Sequence, residues 1–299
     1  MFQRLRAFAI ALAIAAIGSH AAPAWAQAAD WAPRLALVHT AEGFATPECV
    51  AVDPATGMAY VSNIDPTEKD FWGADGRAFI SRLAPGGELK ELKWAESSEA
   101  APLNSPKGMV VIQGVLHCND VNRVVRYSLE SRECLGARTI HPDAKLNDAA
   151  ADGAALLSSD TGGGRVFRID GENVREIAAP TNINGVIAHR GKMYCVGRDE
   201  HEVYEIDPAG ALPPRAFGLA ENFVRLDGIE VMDNGIFLVS DMGGHSIWAV
   251  SPDEKRAAKI AELDTPADIG FDRERMLLYV PLFRLNQVQT YKIEMPESE

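Results

Sequence analysis

TPECVAVD (46–53), SPKGMVVI (105–112), KLNDAAAD (145–152), NINGVIAH (182–189), RLDGIEVM (225–232) and TPADIGFD (265–272) are six openings of one recurring pattern. Each sets a polar residue just ahead of a short apolar strand. A second strand follows in every copy: MAYVSN, VLHCND, ALLSSD, KMYCVG, IFLVSD and LLYVPL, usually ending near Asp or Asn. Third strands such as NRVVRYSL, GRVFRID, HEVYEID, HSIWAVS and NQVQTYKI come next. A period of about 40 residues with four short strands per unit marks a propeller blade. The sequence therefore predicts an all-β, six-bladed β-propeller with four antiparallel strands per blade. In such a ring the first strand of each blade lines one central channel, and any chemistry must lie there.

The last blade ends at YKIEMPESE after three strands, whereas WAPRLALVHT (31–40) alternates like a strand and precedes the first opening. The N-terminal strand is expected to supply the missing fourth strand, closing the ring and covering an exposed edge. Upstream, Arg4 and Arg6 precede the apolar run AFAIALAIAAIG, and Ala24-Trp25-Ala26 is a small-x-small cleavage site. Residues 1–26 read as a cleaved secretory signal peptide and 27–299 as a single propeller domain, periplasmic or secreted. Dividing the remainder by six gives about 45 residues a blade. Blade one is the longest, and its excess, IDPTEKDFWGADGRA (64–78), follows its second strand. Such loops lie on the face where the first strands begin. Phe71 and Trp72 are thus either a wall or lid of the channel mouth or an ornament of their own blade.

The chain of 299 residues carries a formal charge of −13. No Lys/Arg cluster could follow a phosphate backbone, so a nucleic-acid partner is excluded, and no membrane contact is expected after signal cleavage. A small-molecule substrate is the expected partner; the sequence names no protein partner. Export would permit disulfides, but Cys118 and Cys195 occupy equivalent positions in different blades. Cys118 and Cys134 would be separated by a strand. Free cysteines are expected at 49, 118, 134 and 195, and no Cys/His spacing suggests zinc.

Aligning the openings places one polar residue per blade at the channel mouth: Glu48, Lys107, Asn147 (with Asp148), Asn184, Asp227 and Asp268. Carboxylate and amide oxygens are hard ligands suited to Ca²⁺ or Mg²⁺. Without a cation, facing carboxylates repel and one holds a proton. Asn184-Gly185 and Asp227-Gly228 are each ordinary turn dipeptides alone; their shared register is what points to a metal site. Lys107 either forms an ion pair with Asp268 or meets an anionic substrate.

Over essentially its whole length after residue 26 the chain resembles the regucalcin–gluconolactonase family of six-bladed propellers, which includes calcium-dependent phosphotriesterases. The resemblance is carried by Pro47-Glu48, Leu146-Asn147-Asp148, Asn184-Gly185-Val186 and Asp227-Gly228-Ile229. It implies one divalent cation, calcium first with magnesium, manganese or zinc as alternatives, held by Glu48, Asn147, Asn184 and Asp227. It also implies that Asp227 is the catalytic base or nucleophile. Lys145 stands where lactonase members often place a substrate-holding Arg. Cys49-Val50-Ala51-Val52-Asp53 departs from the Trp-rich segment that typically follows the first Glu in lactonases. Lys107 and Asp268 are further departures.

Further candidates for contact with substrate are Trp72, Arg198, Arg284 and His245. His245, in DMGGHS, is either an acid/base near neutrality or a loop-tip residue. The absence of a Gly-x-Ser-x-Gly elbow removes an α/β-hydrolase triad. Two functions remain. One is a metal-dependent hydrolase of a lactone or related ester; the other is a non-catalytic binding module whose ion plugs the channel. Propellers host both, and fold alone does not choose.

Overall fold

The structure, a computed structural model, describes residues 29–66 and 70–296. The expected signal peptide lies outside the described residues. Six four-stranded antiparallel sheets are arranged around one axis. Blade one runs Pro47–Val52, Ala59–Asn63, Phe79–Leu83 and Leu89–Glu96 from the channel outward. The first strands of blades two to five are Pro106–Ile112, Leu146–Asp152, Ile183–His189 and Leu226–Val231. In blade six the inner strand shortens to Gly270–Asp272.

The ring closes as expected. Arg34–Glu42 pairs antiparallel with Gln287–Glu294, from Arg34 opposite Glu294 to Glu42 opposite Gln287. Chain start and chain end thus share one sheet, so blade six cannot form until both are present. A second seam lies at the axis. Cys49 and Asp268 form a parallel bridge, with Val50 N–H donating to the Asp268 carbonyl at 3.3 Å and Asp268 N–H to that of Glu48 at 2.9 Å.

Blades pack face to face through aromatic and branched side chains. Trp94 meets Tyr60 and, across the gap to blade two, Tyr127, with ring centroids at 4.8 and 6.0 Å. Tyr194 of blade four meets Phe237 of blade five at 4.8 Å. Edge-on aromatic pairs of this kind add directional stabilisation to their buried area. Cys49, Cys118 and Cys195 are buried in these blades, and all four cysteines are free.

The Asp or Asn that ends most second strands proves to be a clamp. The buried Asp120 carboxylate accepts N–H bonds from Asn104 and Ser105 at 3.0 and 2.7 Å. Asp241 does the same for Val224 and Arg225 at 2.9 and 2.8 Å, and Asn63 for Ala45 at 3.0 Å. These side chains satisfy backbone donors of the segment leading into the first strand. They therefore fix where each first strand enters the channel.

Removing residues 29–42 is expected to lower the melting temperature by many degrees, because it exposes the edge of Gln287–Glu294 and the cluster around Ala41 and Phe44. A thermal melt unchanged by that deletion would contradict closure by this strand.

Candidate functional site

Five of the six first strands carry a β-bulge at the same point. The ladder slips between Pro47 and Val50, Pro106 and Met109, Leu146 and Ala149, Ile183 and Val186, and Leu226 and Ile229. The bulged pairs are Glu48-Cys49, Lys107-Gly108, Asn147-Asp148, Asn184-Gly185 and Asp227-Gly228. A bulge leaves one N–H unpaired and re-aims the side chains. The free N–H of Cys49, Asp148 and Gly228 donates to Ser62, Ser159 and Ser240 of the neighbouring second strand at 2.9, 2.9 and 2.8 Å. Gly108, Gly185 and Gly228 sit where a neighbouring blade leaves no room for a side chain. A Cβ at 108 would lie 2.4 Å from the Asp148 Cα, and one at 185 would lie 2.7 Å from the Asp227 carbonyl.

The first residue of each bulge faces an open cavity of about 990 Å³ at one end of the channel. Glu48, Lys107, Asn147, Asn184 and Asp227 all line it, and all are buried. The insertion overhangs this mouth. Phe71 and Trp72 line it, Phe71 packs against Phe283 with centroids 5.1 Å apart, and Ser105 Oγ ties the loop down through Gly73 O at 2.7 Å. Arg198, His245 and Arg284 line the same cavity. His245 is tethered, its Nδ1 lying 3.3 Å from Asp264 Oδ1 and 3.3 Å from Thr265 N. Lys145 is exposed and lies outside the lining; its ammonium is 5.8 Å from the Trp72 ring centroid.

Two expectations need correction. Asp268 does not belong to the ring of Glu48 and Asp227. Pro266 pairs with Leu282 as Pro47 pairs with Asn63, so Ala267 occupies the mouth position and Asp268 is the register equivalent of Asp148. Both carboxylates face a separate cavity of about 630 Å³ on the other side of the neck. Lys107 accordingly pairs with Glu48 rather than Asp268, its Nζ 3.6 Å from Glu48 Oε1 and 4.5 Å from the Trp72 centroid. The ammonium is thus held by a carboxylate on one side and a ring face on the other.

The electrostatics follow from burial. Desolvation pushes the Glu48 carboxyl up; Lys107 opposes the shift, and Asp227 and Asp148 add to it. Desolvation likewise raises Asp227, against Lys107 and Arg198. Asn184 donates its amide hydrogen to Asp227 Oδ1. Asn147 Nδ2 is anchored on Thr161 Oγ1 at 3.1 Å, leaving its carbonyl oxygen as an acceptor. Glu48 Oε2 is buried with no hydrogen-bond partner. Among the described residues no group of three or more His, Cys, Asp and Glu is arranged to hold a metal. The expected ligand set differs in kind, combining two carboxylates with two amides. The orphaned Glu48 oxygen faces the same cavity as acceptors from three other blades, a donor chemistry that fits a hard cation. Lys107 is the charge that partly stands in for one.

Sequence reading missed Arg225, Phe44, Phe283 and Asn286, which also line the mouth. Arg225 was findable, since it holds the first position of its opening, in register with Lys145.

No family model matches the chain, and no curated protein matches it. Solved structures do. A gluconolactonase from Xanthomonas campestris superposes with a TM-score of 0.66 at 15% identity, covering 88% of this chain and 95% of that one. A streptogramin B lyase gives 0.61 at 12%, covering 89% and 100%. A virginiamycin B lyase from Staphylococcus aureus, solved with quinupristin, gives 0.57 at 14%, covering 85% and 99%. At these identities the likeness is one of fold: a six-bladed propeller architecture shared by lactonases and lyases.

On the other side of the channel, desolvation and then the neighbouring Asp148 carboxylate hold the Asp268 carboxyl well above its ordinary range. A folded-state pKa raised above the unfolded value contributes stability that is full at low pH and is lost as pH rises through the raised value. Asp268→Asn mimics the protonated acid. It is expected to melt within a few degrees of wild type at neutral pH, and its melting temperature should fall less steeply as pH rises above the ordinary aspartate range. A large loss of stability at neutral pH would show that Asp268 is ionised in the folded protein.

Proposed function

We propose that this chain is an exported, divalent-metal-dependent hydrolase of the gluconolactonase type, acting on a lactone or related ester. The observation that carries the reading is the convergence of Glu48, Asn147, Asn184 and Asp227 on one open cavity, with a buried Glu48 oxygen lacking any partner. The fold shared with a gluconolactonase and the leader-like residues 1–26 support it.

Glu48 Oε2, the Asn147 and Asn184 amides and Asp227 would hold the cation, calcium being the best match to these oxygens. Such an ion supplies Lewis-acid polarisation of the ester carbonyl. Asp227, poised upward by burial, takes the proton of the attacking water. Phe71, Trp72 and Phe283 wall the mouth and limit water around the reacting ester. Lys107 neutralises Glu48, a role a bound cation would share, and its ammonium already lies against the Trp72 face. The cavity is large enough for a sugar-sized molecule.

The second reading is a binding module, and the Lys107–Glu48 pair is the observation that favours it. An ammonium fixed at the cation position would leave a polar socket without a catalytic ion.

Turnover of a lactone panel with and without chelator separates the two. In a hydrolase, Asp227→Asn is expected to lose roughly 10²–10⁴-fold in kcat even at saturating calcium. Asn184→Asp, which keeps an oxygen ligand, should recover at high calcium. Full recovery of both would make Asp227 a ligand only. Metal-independent silence of the wild type on every lactone and ester would favour the binding module.

Lys107→Met removes the competing charge. Calorimetric titration is expected to give calcium affinity at least about tenfold tighter than wild type, since a unit charge a few ångströms away costs several kcal/mol near a protein surface. Unchanged or weaker affinity would mean the ammonium and the cation do not share a position.

A further inference from the structure

The mouth carries a charge pattern that the floor does not explain. Arg198, Arg225 and Arg284 line its wall, on a chain whose formal charge is −13. Several guanidiniums elsewhere are tied to carboxylates: Arg123 to Asp120 at 2.7 Å, Arg165 to Asp160 at 2.9 Å, Arg168 to Asp152 at 2.8 Å, Arg275 to Asp272 at 3.2 Å; others, such as Arg126, Arg175 and Arg190, donate to backbone carbonyls. Among the described residues, the guanidiniums of Arg225 and Arg284 have neither an ion pair nor a hydrogen bond. Arg198 has only a long contact, 3.8 Å to Asp199.

Their backbones are nevertheless fixed. Arg225 N donates to the buried Asp241 carboxylate at 2.8 Å, and its Cβ lies where a side chain at Gly243 would reach to 2.6 Å. Arg284 N donates to Thr265 Oγ1 at 3.2 Å. Arg225 and Arg284 thus come from adjacent blades, Arg225 just ahead of a first strand and Arg284 in the turn after Leu277–Leu282, and both line one cavity. Clustered guanidiniums repel one another, and a rigid fork of donors matches the planar oxygens of a carboxylate.

We infer that the mouth takes an organic anion, with a carboxylate of the ligand against Arg225 and Arg284 and the rest of the molecule over the Glu48–Asp227 floor. The inference deepens the hydrolase reading and rests on the same site, but it is tested by binding alone. The site is bipolar: the acidic floor suits a cation and the basic wall suits an anion. The aromatic faces of Phe44, Phe71 and Phe283 between them suit an apolar or sugar-like body.

Methyl glucoside and methyl glucuronide differ only in a hydroxymethyl group replaced by a carboxylate, and neither has a lactone to open. Titration calorimetry of the calcium-saturated full chain is expected to show the glucuronide binding at least about tenfold tighter, a preference that shrinks as salt is raised. In the Arg225→Gln/Arg284→Gln double variant, checked for native melting, the ratio should fall towards unity. Equal binding of the two sugars, no binding of either, or a preference that survives the double substitution would overturn the inference. A preference present in a protein that hydrolyses nothing would retain the anion site and remove the hydrolase.

Discussion

Six inner strands crowding one axis is the constraint from which the rest of this molecule follows. Where strands of neighbouring blades come closest, only glycine or a side chain hydrogen-bonded to the next blade fits. Gly108, Gly185 and Gly228 take the first solution. Asp148, whose oxygens accept N–H bonds from Ala149 at 2.5 Å and Val186 at 2.6 Å, takes the second. The same crowding forces a bulge just before the neck. The bulge separates two neighbouring positions: the first faces the mouth, and the second is glycine or, at Cys49 and Asp148, lines the lower cavity. The polar floor of the mouth is therefore a consequence of how the propeller closes on itself.

Holding that floor in place falls to groups one layer out. Serine hydroxyls of the second strands satisfy the bulged N–H groups, and the terminal Asp or Asn clamps the incoming chain. Neither touches the cavity. Both make the position of Asp227 or Glu48 a property of the whole blade, which is what a site built from different strands requires.

The fold was legible because strand alternation and a repeat of about 40 residues reinforce each other in every blade. Most of the mouth ring was legible too, since its members recur at the third position of each opening. Blade six broke the reading. Its third residue is Ala267, and the neighbouring Asp268 invited a shift of one residue, which in a strand turns a side chain to the other face. The partner of Lys107 was decided by neighbourhood around the ring: Glu48 is on the adjacent blade, Asp268 two blades away. Arg225 stood in register with Lys145 and so was legible as a position; the clamp on its N–H by Asp241 adds that the position is fixed.

The proposed function requires one hard cation on the bulge ring at the channel mouth. A crystal grown with manganese and measured at the metal's absorption edge tests it most directly. The account expects a single strong anomalous peak, with Glu48, Asn147, Asn184 and Asp227 oxygens at roughly 2.0–2.6 Å, the range of such ligands, and with the Lys107 ammonium moved away from Glu48. A map with no peak there, and Lys107 still paired to Glu48, would contradict it.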